Sequence, residues 1–361
     1  MGLTPENQAS ANRGLPRENT SGSGKTRPLR SYALFVLAVL YFFFARSIAH
    51  RAADGFAGVL WAPLLEQSML VFLLLVGYSG MGMLFQRQPH PVADQGLPRR
   101  QGGLGEFAVG LATGWGIAVV CVIPLTLVGG IAIIFSGRAS EWGWLLADAA
   151  FFLLATLAEE IAFRGYAFQR FMDAVGPLGA TLGFSFYYGI VQMLVPGANR
   201  VSFTVSVVLG LLLSTAYVRT RALWVSWGIN FGWKASRALL FGLVVAGVGR
   251  HSSVVEGDPM GPFWLTGGGF GLDATWLAFF VILAAFPVLL RATRDLDFRY
   301  NAPLIIPGGI PVNLDAAAHA QHESAMSGAP TPMPLVQIDL APPAPLQPEN
   351  PESPVQPPQA G

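Results

Sequence analysis

The chain has 361 residues, 52% of them hydrophobic and only 12% charged, about half the charged share of a soluble domain. Its net charge of +1 and single cysteine give no electrostatic case for nucleic acid and exclude an intrachain disulfide or a thiolate metal cluster. What remains is an all-α polytopic membrane protein.

In chain order, residues 1–30 are polar, lack the apolar core of a signal peptide and read as a disordered N-terminal tail. Apolar runs then predict about eight transmembrane helices, at roughly 32–49, 60–85, 107–135, 142–163, 178–195, 202–218, 222–247 and 274–290, within a membrane domain over 31–295. The third run is long enough to tilt or kink, with Pro124 as the kink site. Cys121 lies inside it and reads as a small buried residue. Small residues four apart, Gly110 with Gly114 and Gly228 with Gly232, suit close helix contacts. This topology puts fifteen Lys and Arg on one side and five on the other. By the positive-inside rule both termini are then cytoplasmic. Residues 300–361 hold 14 of the 27 prolines and read as a disordered tail.

The chemistry concentrates in the fourth span, at Glu159-Glu160-Ile161-Ala162-Phe163-Arg164. Carboxylates at membrane depth are expensive and usually functional. Glu160 and Arg164, four apart, share a helix face and form an ion pair. Glu159 is rotated about 100° away and lacks that partner. A desolvated carboxylate without a cation beside it suits general acid or base work, so Glu159 is the working residue and Glu160 the orienting one. Tyr188 and Gln192 lie four apart in the fifth span, and Asn230, Lys234 and Arg237 share a face of the seventh. Lys234 has Glu159 as its candidate anion, and Arg237 is free to snorkel. Asp148, three turns before Glu159, and Glu66 in the second span either line the same cavity or sit near an interface.

These residues resemble the CPBP family of intramembrane proteases, also called the ABI family, which includes the CAAX prenyl endopeptidases. Its signature runs Glu-Glu-x-x-x-Arg, Phe-x-x-x-His, His-x-x-x-Asn on separate membrane helices. The first piece is intact as Glu159, Glu160, Arg164 and the following Gly165. The second maps to Tyr188 through Gln192, and the third to Asn230 through Lys234, after Leu223-Trp224. The resemblance covers roughly residues 142–240.

It implies endoproteolysis within the membrane near the cytoplasmic face. The first glutamate and first histidine would activate water; the second histidine and the asparagine would stabilise the oxyanion. Candidate catalytic residues are therefore Glu159, Glu160, Arg164, Gln192, Asn230 and Lys234. Both family histidines are missing, and the five histidines present (His50, His90, His251, His319 and His322) fall in expected loops or the tail. Amides are poor zinc ligands, so no cofactor and no tightly bound zinc is expected. Gln192 can position a water but cannot take its proton, whereas Asn230 or Lys234 can donate to an oxyanion. An ion pair between Lys234 and Glu159 would weaken the base. Two readings stay open: an endopeptidase relying on Glu159, or a pseudoprotease binding a peptide or lipidated protein segment. Partners are membrane lipid and such a segment, and the expected location is a bacterial cytoplasmic membrane.

Overall fold

The computed structural model describes residues 26–56, 58, 61–245, 248, 252–300 and 322–323. The expectations for residues 1–25, and for nearly all of 301–361, lie outside them. The chain divides near residue 301, and all that follows concerns the first unit.

Eight long helices make up most of it: α1 Thr26–Phe56, α2 Ala62–Gln86, α3 Gly103–Leu127, α4 Glu141–Arg164, α5 Tyr166–Gln192, α6 Arg200–Thr220, α7 Leu223–Ala235 and α8 Trp276–Ala292. By length and composition, four of them (α1 from Pro28, α2, α3 and α6) are able to cross a membrane, while α8 is shorter and equally apolar. The surface supports a membrane setting. Leu40, Phe44, Phe72, Leu104 and Leu178 are exposed, whereas Glu160, Arg164, Asn230 and Arg237 are buried. An apolar exterior around charged groups is the arrangement lipid demands.

Local chemistry explains where elements begin and end. The Asn199 side chain accepts from the Val201 and Ser202 backbone N–H groups, with Ser202 bonding back, so a reciprocal cap starts α6. Thr275 Oγ1 accepts from the Ala278 N–H to start α8. Helix α5 breaks at Gly176, whose φ is 81°, because Pro177 disfavours the helical conformation in the residue before it.

Four expectations are corrected. The first helix starts at Thr26, within the expected tail. The third ends at Leu127 rather than near residue 135, with Pro124 in its last turn. Residues 131–135 instead form β1, paired antiparallel with β2 at Val255–Pro259, in register Ile131 with Pro259 through Phe135 with Val255. The all-α class therefore carries one two-stranded sheet. The unbroken apolar run Ile131–Phe135 suits a strand as well as a span end. The seventh expected span is also shorter: α7 passes at Ser236–Leu240 into a π turn and leaves helix at Phe241. Gly242 follows at φ 66°, with the place of a Cβ only 2.5 Å from the Val255 carbonyl oxygen, so only glycine passes close to the second strand there.

The centre is the α3–α7 contact. A Cβ on Gly110 or Gly114 would lie 2.2 or 2.1 Å from the carbonyl oxygens of Val225 and Ile229; on Gly228 or Gly232 it would lie 2.3 or 2.6 Å from those of Phe107 and Leu111. The two backbones touch, as small-residue spacing permits in membrane helices. Helix α7 also packs on α4 and α6, and α4 packs on α2. The result is α4 and α7 side by side, each with polar residues turned inward.

Candidate active site

Glu160 is fully buried, and its Oε1 accepts from Arg164 Nη1 at 3.0 Å and from Asn230 Nδ2 at 2.9 Å. The Ser226 hydroxyl lies beside the same carboxylate. Arg164, 1% exposed, also donates from Nη2 to the Gly210 carbonyl on α6 at 3.4 Å, and its guanidinium lies 5.2 Å from the centroid of the Tyr188 ring. The ion pair is thus tied to α5, α6 and α7 at once.

Glu159, one residue earlier, turns toward α7. Lys234 Nζ lies 2.5 and 2.6 Å from its two oxygens, Asn230 Nδ2 is 3.0 Å from Oε2, and the Tyr188 hydroxyl approaches Oε2 at 3.5 Å. The Asn230 amide bridges the two glutamates. Lys234, one turn further along α7, lies on the same helix face. The side chains of Glu159 and Lys234 keep 28% and 13% of their exposure, so this pair is reachable where Glu160 is not. Two buried oxygens, Glu160 Oε2 and Asn230 Oδ1, have no hydrogen-bond partner among the described residues.

Five of the six candidate residues therefore meet: Glu159, Glu160, Arg164, Asn230 and Lys234. The sixth, Gln192, is the last residue of α5. It is half-buried, and no side-chain hydrogen bond joins it to the cluster among the described residues. Tyr188, one turn earlier, is the α5 residue that reaches the glutamates. Glu159 is not the unpaired carboxylate that helix spacing alone suggests, because its partner comes from α7.

Other polar residues sort away from the cluster. Asp148 accepts from the Ser252 backbone N–H at 2.9 Å, near the far end of α4. Glu66 pairs with His50 at 3.1 Å. His50 itself sits on α1 rather than in a loop. Arg237 does not snorkel: it is buried on the π turn and pairs with Asp273 at 2.8 Å. Asp273 belongs to no motif and went unnoticed in the sequence. The available signal was charge balance, since two intramembrane cations on α7 and its continuation require two anions.

A divalent metal does not fit these donors. The Lys234 ammonium already spans both Glu159 oxygens and repels a second cation, Glu160 faces Arg164, and an amide is a poor zinc ligand. Among the described residues, no three His, Cys, Asp or Glu side chains gather in a metal-binding group.

Residues 141–236 match the family model for type II CAAX prenyl endopeptidase, Rce1-like proteins. The Rce1-like segment runs from the start of α4 to the first residue of the π turn, so it contains all six candidate residues and ends just before Arg237. The match supports a CAAX-protease-like membrane protein. Comparison with curated proteins and with solved structures finds no match.

Proposed function

We propose that this protein is an intramembrane endopeptidase of the CAAX-processing type, with α1–α8 crossing the membrane, both termini cytoplasmic and Glu159 as general base. The observation that carries this reading is the half-open Glu159 carboxylate, fixed beside the buried Glu160–Arg164 pair within the Rce1-like segment. The proposed substrate is a peptide or lipidated protein segment arriving from the surrounding lipid, the site works without a bound metal, and the location is a bacterial cytoplasmic membrane.

In the step envisaged, Lys234 swings off Glu159 on its flexible stem. Glu159 takes a proton from water as the water oxygen attacks the scissile carbonyl carbon. Asn230 Nδ2, turning one N–H from Glu159 while the other stays on Glu160, and the freed Lys234 ammonium donate to the oxyanion. The proton passes to the leaving nitrogen as the C–N bond breaks. Each oxyanion donor of this kind is worth on the order of 10²–10³ in rate. Glu160 and Arg164 hold the helix turn and the Asn230 amide in place.

One observation favours a second reading, a pseudoprotease that binds such a segment without cutting it. Both Glu159 oxygens are occupied by Lys234, and a neutralised carboxylate is a poor base. The deciding experiment uses the full chain in liposomes with a quenched fluorescent prenylated peptide ending in a CAAX sequence. The expected result is slow cleavage by wild type, none by Glu159→Ala, and faster cleavage when Lys234→Asn, Asn230→His and Gln192→His are combined. Peptide binding with no cleavage by wild type or the combined variant would establish the second reading instead.

A further inference from the structure

Beyond the Rce1-like segment, Arg237, on the turn that follows Lys234, forms an ion pair with Asp273. Asp273 sits on a short 3₁₀ turn, Leu272–Ala274, just before α8. Its Oδ1 accepts from Trp233 Nε1 at 3.0 Å and its Oδ2 from Arg237 Nη1 at 2.8 Å. Arg237 Nε donates to the Trp233 carbonyl at 3.1 Å, and the guanidinium stacks on the Trp233 ring at 3.9 Å. Trp233 and Arg237 are both fully buried, and Arg237 Nη2 has no hydrogen-bond partner among the described residues. One carboxylate thus grips the residue immediately before Lys234 and the residue three after it.

We propose that Asp273 is a positioning residue for Glu159, acting through Lys234. Asp273 ties Trp233 to Arg237, on either side of Lys234, so losing this grip lets the turn shift and Lys234 move off Glu159. With Asp273 hydrogen-bonded to the Trp233 indole, the turn presenting Lys234 keeps its rotation. The π turn at Ser236–Leu240 supports the idea, since a π turn offsets Arg237 from regular helical spacing and such turns are frequent at functional sites. This grip does not require Asp273 to touch a substrate.

The proposal rests on Glu159 being the working carboxylate, and its test needs no substrate. The full chain in detergent is treated with dicyclohexylcarbodiimide, which adds to protonated carboxyls in apolar settings, and labelling at Glu159 is mapped by peptide mass spectrometry. Wild type labels slowly and Lys234→Met quickly. Asp273→Asn in folded, monodisperse protein is expected to raise Glu159 labelling at least about threefold, the scale of coupling between groups in one network. Asp273→Glu restores the wild-type rate. In a Lys234→Met background Asp273→Asn adds nothing. Trp233→Phe, which removes the indole donor and keeps a smaller ring beneath Arg237, gives a smaller rise and serves if Asp273→Asn does not fold. Wild-type labelling in folded Asp273→Asn or Trp233→Phe, or an equal rise in the Lys234→Met background, would overturn the proposal. A merely structural Asp273 lowers the melting temperature and leaves labelling of the folded fraction unchanged. A chain that shows this coupling yet cleaves nothing contradicts the protease reading and leaves Asp273's role standing.

Discussion

Glu159 and Glu160 are chain neighbours on one helix, yet their ion pairs differ in kind. Glu160 pairs along its own helix with Arg164, at 0% and 1% side-chain exposure; Glu159 pairs across to α7 with Lys234, at 28% and 13%. The first pair is sealed and braced by α6 and α7 contacts. The second is open on one side and made by a flexible lysine. A sealed pair that cannot rearrange serves as a structural anchor, whereas a half-open pair can exchange partners. The difference suits Glu160 to architecture and Glu159 to the reactive role proposed for it.

Breaking the sealed pair is expected to have the largest effect. Arg164→Ala leaves a buried carboxylate without its cation and is expected to cost about 3–5 kcal/mol, seen as loss of folded, monodisperse protein in size-exclusion thermal unfolding. Next come the glycines that let α3 and α7 touch. Gly114→Ala places a Cβ against the Ile229 carbonyl and is expected to cost about 1–3 kcal/mol by overpacking, measured in the same assay. Glu159→Gln leaves Lys234 without its anion, but at a half-open site where the ammonium can turn away, and is expected to cost about 1–2 kcal/mol while removing hydrolysis. Equal losses from Arg164→Ala and Glu159→Gln would erase the contrast between the two pairs. Smallest is Gln192→Ala, within about 0.5 kcal/mol of wild type, because no hydrogen bond ties Gln192 to the cluster.

Much of this was legible in residue spacing. Each of the eight apolar runs overlaps a helix, although the third and seventh helices end well before their runs do, and the Glu160–Arg164 contact follows from four-residue spacing on a helix. The α3–α7 contact was signalled by glycines four apart. Contacts between helices were harder to read. Lys234 was a candidate partner for Glu159 only because an intramembrane ammonium needs an anion; the contact itself depends on α4 packing beside α7. Ile131–Phe135 has the apolar character of a span end, and only its pairing with Val255–Pro259 makes it a strand. Gln192 entered by motif alignment, and alignment does not show that Tyr188 is the residue reaching Glu159. Asp273 lies in a glycine-rich connection without periodicity, so nothing local marked it.

The most direct measurement compares new protein N-termini in membranes from cells carrying wild type or Glu159→Ala, with Gln192→Ala as the control. The expected result is a set of cleavage products present in wild type and the control and absent in Glu159→Ala. An identical set of termini in all three would contradict Glu159 as the working carboxylate of a protease.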